Sequence, residues 1–263
     1  MRKTLRLAAM EWSMMLQYRT DVLLWTAAEA VTPLITLAIW YRISQQTSSA
    51  LTSQETITYF LGVVFLTIVT GAWGGFFLAN DILTGKIVQY LIRPLSIFWH
   101  HIEQNILEKI LKLFIPLPVV ILCLYFFPEW FSPKIFIPSH ILLFIPSVLL
   151  AIVLAFVLDI ALGTLAFWLE NANQIRGYRY MLETVMSGKL IPYTALPAAV
   201  FTAFSWFPFR YIISAPLEIL LGQAEGSQAW KLLGYQSAWL LALLLILIIL
   251  WKKGLKRYAI PGQ

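Results

Sequence analysis

The sequence predicts an all-α integral membrane protein. It has six transmembrane helices, an N-terminal interfacial helix, and short outer re-entrant helices before the last span. Three observations predict this. Of 263 residues, 60% are hydrophobic and only 12% are charged, about half the charged fraction of a soluble domain. Apolar runs repeatedly approach the roughly 20 residues that cross about 30 Å of hydrocarbon. Basic residues gather on one side of those runs, the pattern that orients membrane proteins.

The elements follow in order. Over residues 1–20, Leu5, Ala8, Trp12, Met15 and Leu16 recur at helical spacing, with Arg2, Lys3, Arg6, Ser13 and Gln17 between them. Such a helix lies in the membrane interface. It is not read as a cleavable signal: the first strong apolar run starts near Val22, and no small-residue cleavage site follows it. Spans are expected at 22–41 and 57–78, joined by the polar loop SQQTSSALTSQET. Residues 79–105 form a cytoplasmic segment carrying Asp81, Lys86, Arg93, His100, His101 and Glu103. A third span, 106–127, is kinked by Pro116 and Pro118, and a fourth covers 141–168. The fifth is the weakest: residues 169–189 hold Glu170, Arg176, Arg179, Glu183 and Lys189. Residues 193–221 are apolar but broken at Pro197, Pro208 and Pro216. The last span, 232–251, ends in KKGLKR.

Charge sets the topology. With the N-terminus inside and six crossings, the cytoplasmic side holds Arg2, Lys3, Arg6, Arg19, Lys86, Arg93, Lys109, Lys112, Arg176, Arg179, Lys252, Lys253, Lys256 and Arg257. The outside holds Arg42, Lys134, Arg210 and Lys231, with Lys189 assigned to neither side. A seventh crossing within 193–221 would carry the C-terminal cluster outside. That stretch is therefore read as re-entrant, shielded by protein or lining a wet cavity. The chain reads as one transmembrane domain, 1–263, with both termini cytoplasmic.

Several chemistries are excluded. The Gly85-Lys86 and Gly188-Lys189 pairs have Asn80 and Glu183 where a phosphate-binding loop needs glycine. The chain therefore cannot hydrolyse ATP in that way. Cys123 is the only cysteine, so no intrachain disulfide forms and no thiolate zinc site is built. Adjacent His100 and His101 lack the i, i+4 spacing of a helical zinc pair. No catalytic cluster or metal set stands out. The net charge of +6 lies beside apolar spans and suits anionic lipid rather than nucleic acid.

Two acids lie inside spans. Glu29 sits about 10 Å into the first, and Asp159 near the middle of the fourth. Each costs about 2.5–3.5 kcal/mol at a helix centre, so neither faces lipid. Each either lines a path for polar or cationic cargo or bonds a neighbouring helix. Glu183 has Arg179 one turn earlier, which reads as a local ion pair. Aromatic residues are 15% of the chain, which suits a path for drugs or lipids and equally an interfacial belt.

The segment NDILTGKIVQYLIRPL, 80–95, carries the sharpest local signal. Asn80 or Asp81 can cap a helix. Leu83, Ile87, Tyr90 and Leu91 recur at helical spacing, and Pro94 stops the helix after Arg93. This is a short amphipathic helix between two spans: an interfacial linker, or a lever docking on a soluble partner. Here the chain resembles the permease subunits of ABC-2-type ABC exporters, particularly the group with two different permeases beside one ATPase. The resemblance covers nearly the whole chain. Its most specific parts are the Asp81–Gly85–Arg93–Pro94 spacing and the series Ser187-Gly188, Pro192, Pro197, Pro208 in SGKLIPYTALPAAVF and FPFRYIISAPLEILLG.

The resemblance implies a transport subunit that is not itself an enzyme, in a bacterial cytoplasmic (inner) membrane. Two permeases, identical or homologous, would pair around a path. A pair of ATPase subunits would bind below, holding ATP and Mg. The coupling helix, about Asp81–Pro94 with Gly85, Lys86 and Arg93, would insert into an ATPase groove. Gly188, Pro192, Pro197 and Pro208 would belong to the outer gate. The alternative is a secondary transporter driven by an ion gradient, with Glu29 and Asp159 as coupling acids. A membrane-bound enzyme is a third reading, which the missing catalytic cluster weighs against.

Overall fold

The structure, a computed structural model, describes residues 12–13, 16–17, 19–46, 50–91, 97–114 and 116–258. Among them every regular element is a helix. The expected interfacial helix falls largely outside these residues, but Trp12, Ser13, Leu16 and Gln17 are helical.

Helix α1 (Arg19–Ser44) buries only Thr26 and Pro33. An apolar helix with so little buried needs a lipid or protein neighbour along most of its length. Helix α2 (Ser53–Thr70) starts at a capping box. The Thr52 hydroxyl accepts the Glu55 N–H, and the Glu55 carboxylate accepts the Thr52 N–H, satisfying two orphan donors at once. Glu55 also pairs with Lys134 at 2.8 Å, which ties down the loop before α7. The ladder breaks at Gly71–Trp73 and resumes as α3 (Gly74–Leu83). Together α2 and α3 form one apolar stretch of 31 residues.

After an elbow at 84–86 comes α4 (Ile87–Leu91), then α5 (Ile97–Leu113) and α6 (Pro116–Phe126). The last two are bent by 40° relative to each other, and Pro116, which cannot donate to the ladder, opens α6. Helix α7 (Pro138–Gly163) runs on through a 3-10 turn to Phe167. It is followed by α8 (Ala172–Met186), α9 (Ala198–Ser205), α10 (Arg210–Leu220) and α11 (Ser227–Tyr258).

Four of these stretches are long and apolar enough to cross a membrane, or five if bent α5–α6 counts as one. The remaining expected crossing, the fifth, is α8, only 15 residues, or about 22 Å. Its two ends nonetheless lie in different cores. Ala172 packs in the cluster of Leu78, Ile82, Ile87, Ile97, Ile160 and Phe167. Met186 packs in the cluster of Tyr59, Phe60, Leu154, Ile212 and Leu217. The chain thus links the two cores by a short polar helix whose Tyr178, Tyr180, Met181, Leu182 and Val185 side chains are exposed.

Two expectations are corrected. Asn80 and Asp81 do not cap the amphipathic helix: they lie near the end of α3, and the new helix starts at Ile87. Helix α5 starts at Ile97, not near 106. Its polar His101 and Asn105 are buried against neighbouring helices, so the run of His and Glu that marked a loop belongs to a packed helix.

Candidate functional site

The site begins with small residues. In α3, Gly74 and Gly75 let the backbone lie against α7: a Cβ at Gly75 would collide with the Asp159 carbonyl, and one at Gly163 with the Gly75 carbonyl. Such close approach is how small residues join helices in a membrane. It brings the Gly75 N–H to Asp159 Oδ2 at 2.7 Å. Asp159 is fully buried, and its other oxygen accepts from Arg176 Nε at 3.1 Å and Arg179 at 3.2 Å.

The two arginines extend the network. Arg176 donates to the Ala72 carbonyl at 3.3 Å and lies 5.4 Å from the ring centres of Trp73 and Phe76. Arg179 reaches Glu183 at 2.6 Å, and Lys189 meets the other Glu183 oxygen at 2.8 Å. Across the break after α2, Lys109 donates to the Gly71 carbonyl at 2.8 Å and to Asn105. Lys112 pairs with Glu29 at 3.0 Å and with Glu108 at 3.0 Å. Each buried charge therefore has an opposite charge or a carbonyl beside it, the condition for burying it at all.

These residues wall a cleft of about 360 Å³. Glu29, Thr67, Trp73, Arg176, Arg179, Tyr180, Glu183 and Lys189 line it, drawing on α1, α2, the break after it, α8 and the residues after α8. Charged and aromatic side chains alternate along the wall: Arg176 lies beside Trp73 and Phe76, and Lys189 5.8 Å from the Tyr180 ring centre. Among the described residues no three His, Cys, Asp or Glu side chains group to hold a metal ion.

The elbow lies at the far end of α3. Gly85 has φ +79°, a left-handed conformation that glycine adopts without strain, and it turns the chain sharply between α3 and α4. Asp81 is half-buried and Lys86 is exposed, while Ile87 is fully buried and anchors α4. Arg93 and Pro94 lie outside the described residues. A Cβ at Gly85 would lie 3.6 Å from the Tyr258 hydroxyl, so the elbow and the basic tail of α11 share one end of the molecule.

The opposite end holds the broken segment. Gly188 has φ +93°, and its carbonyl accepts the Tyr59 hydroxyl at 2.9 Å. Pro192 precedes a short 3-10 turn, Pro197 precedes α9, and Pro208 leads into α10. Arg210 pairs with Glu218 at 2.7 Å, donates to Ser205 at 2.6 Å, and sits 4.8 and 4.5 Å from the Tyr193 and Phe201 ring centres. The Tyr211 carbonyl accepts from Gln236, about 13 Å into α11 at 1.5 Å per residue. Gly222 abuts His140 at the start of α7. Helix α10 thus climbs from that depth back toward the end where α7 and α11 begin.

Of the sequence-derived candidates, Glu29 lines the cleft, while Asp159 lies behind it, tied to two of its lining arginines. Arg179 and Glu183 form the expected local pair. Lys109, Lys112, Arg176 and Arg179, counted in the sequence with the basic side, are buried or nearly so in the network. Sequence reasoning passed over Gly75, Lys109 and Lys112. Glycines inside an apolar span, and two lysines at its mouth, were the available signals.

The sequence model of one family, described as ABC-2 family transporter protein, matches residues 28–262. No curated protein matches the chain.

Proposed function

Because the chain belongs to the ABC-2 family of transporter proteins, we propose that it is the membrane subunit of an ATP-driven exporter in a bacterial cytoplasmic membrane. A separate pair of ATPase subunits holds ATP and Mg, and a second permease, identical or homologous, completes the path. The cleft around Glu29, Arg176 and Lys189 forms part of the wall of that path.

One observation carries the reading: α3 connects the elbow to the cleft. Its far end is the turn at Gly85, and its near end is bonded to Asp159 through Gly75. Asp159 holds the two arginines that line the cleft. A push on 81–94 by a closing ATPase dimer travels along one ten-residue helix into a network shared by α1, α5, α7 and α8. Rigid helices joined by hydrogen bonds and ion pairs carry such coupling. The residues at 188–221 form the opposite gate, whose closed state is held by Arg210 and Glu218.

Sidedness follows from charge. Lys252, Lys253, Lys256 and Arg257 lie at the elbow end of α11, and α1 enters from the same end, where Trp25 meets Trp73 at 6.3 Å between ring centres. Both termini are therefore assigned to the cytoplasm.

The test is purification of the tagged chain from its native cell in mild detergent, with mass spectrometry of what accompanies it. A soluble ATPase should co-purify, and Lys86→Glu together with Arg93→Glu should weaken that association about tenfold, the scale of 1.4 kcal/mol of lost contact. A chain that purifies alone and transports in reconstituted vesicles without ATP would overturn the reading in favour of an ion-driven carrier.

A further inference from the structure

A second cavity is larger than the charged cleft. This second cavity is a groove of about 660 Å³ between α5, α7 and α11. Its floor is Phe156, Ile160 and Leu247, and its rim residues Ile106, Val153 and Ile248 are 53%, 45% and 48% exposed. A groove with half-exposed aliphatic rims opens sideways, toward whatever surrounds the protein. The surroundings of a membrane-spanning bundle are lipid tails.

Two features give the groove a polarity along its length. Asn105 is a polar residue on the wall, and its amide is already engaged with the Gly71 carbonyl and Lys109. Lys252 stands at one end, beside Trp251, which packs on Phe98 at 4.6 Å between ring centres. Exposed Lys253, Lys256 and Arg257 follow it. From Leu244 to Lys252 the groove runs about 12 Å at 1.5 Å per residue, close to the roughly 15 Å of one leaflet's hydrocarbon. The volume lies within the range of about 300–1,000 Å³ that suits small amphiphiles.

We propose that this groove is a binding site for an anionic bilayer lipid, one acyl chain lying against Phe156, Ile160 and Leu247 and the phosphate paired with Lys252. An apolar trough with a lysine at its mouth and tryptophan at headgroup level matches both halves of such a molecule. Basic pockets between membrane helices hold acidic lipid headgroups for the same reason. The groove and the Glu29 cleft share no lining residue, so it is separate from the proposed path, and Asn105 stands between them, on the wall of the one and bonded to Gly71 of the other. It packs directly on Ile160, the neighbour of Asp159, and on Trp251 near the elbow.

Native mass spectrometry of the full chain, titrated with phosphatidylglycerol or phosphatidylcholine, tests this. Phosphatidylglycerol should bind with one saturable equivalent per chain and survive activation that strips phosphatidylcholine. Lys252→Glu should weaken phosphatidylglycerol about tenfold and leave phosphatidylcholine unchanged. Val153→Trp, which fills the groove from its exposed rim, should remove the saturable equivalent. A second measurement does not depend on those variants folding. Brominated-chain phosphatidylglycerol should quench the fluorescence that Trp251→Phe removes, more strongly than brominated phosphatidylcholine does. Equal binding of the two lipids, equal quenching by them, or a saturable equivalent untouched by both variants, would overturn the proposal. None of these readouts involves ATP or transport, so they stand apart from the exporter reading.

Discussion

Two buried ionic clusters divide the molecule's polar interior, and they are built differently. Around Asp159, charges from α1, α5, α7 and α8 and a backbone N–H from α3 meet across sequence distances of 17 to 84 residues. Around Arg210, the charged partners Arg210 and Glu218 lie on one helix, eight residues apart, with Ser214 donating to Glu218 at 2.7 Å. The first is a joint between helices; the second is a brace within one. A joint moves when any of its helices moves. A brace holds a short, proline-broken helix rigid so that it moves as a unit. The comparison predicts different consequences for breaking each.

Asp159→Ala should have the largest effect. It leaves two buried guanidinium groups short of their carboxylate, a loss of about 3–5 kcal/mol, seen as a large fall in the thermal unfolding midpoint in detergent. Because the carboxylate is fully buried, transport of cationic and neutral cargo should fall together. A selective loss of cationic cargo would mean that Asp159 meets the path in another state. Wild-type stability would mean the cluster is no joint.

Gly75→Val comes next. Its added side chain collides with the Asp159 backbone, and overpacking of that kind costs about 1–3 kcal/mol. The elbow is untouched, so the ATPase should still co-purify and hydrolyse ATP while transport drops. Coupled loss of ATPase binding and transport would show that α3 is not the lever between them.

Much of this architecture was legible from composition. Apolar length alone locates α1, α2–α3, α7 and α11, because a helix crossing lipid satisfies its own backbone and needs little from its neighbours. The joint was not legible. Arg176 and Arg179 enter the sequence reading only through the charge count and the local Arg179–Glu183 pair, because the carboxylate that joins them lies at least 17 residues earlier in the chain. Lys109 and Lys112 enter only through the charge count, since no local pattern marks the Gly71 carbonyl or Glu29 as their partners. The brace was half legible: its prolines mark the broken segment, but the Arg210–Glu218 pair spans two turns, beyond the i, i+4 spacing that sequence reading looks for. The turn at Gly85 was visible as a glycine, while the assignment of Asp81 to the end of α3 depends on where α2 resumes after Gly71.

Glu218→Gln probes the brace. Arg210 keeps Ser205 and the Tyr193 and Phe201 rings, so the loss should be about 2 kcal/mol, the value of a charge-assisted bond. Co-purification of the ATPase should be unchanged. If the opposite gate is what the brace stiffens, ATP-independent leak of cargo through reconstituted vesicles should rise. A variant with wild-type leak but reduced ATPase association would place the brace in the coupling machinery instead.

The smallest expected effect on stability is that of Glu29→Gln, and it is the most informative about the path. Lys112 retains Glu108 at 3.0 Å, and an amide still accepts a hydrogen bond, so stability should change by about 1 kcal/mol, the net value of one hydrogen bond. Yet Glu29 is the acid that α1 contributes to the cleft, opposite Arg176, Arg179 and Lys189. Removing its charge makes the wall more cationic without disturbing the fold. If cargo touches this wall, the variant should shift the balance of export toward anionic over cationic compounds in a paired vesicle assay, with ATPase association intact. An unchanged ratio in a stable, ATPase-bound variant would move the path away from α1 and leave the Glu29–Lys112 pair as a contact that only holds α1 against α5.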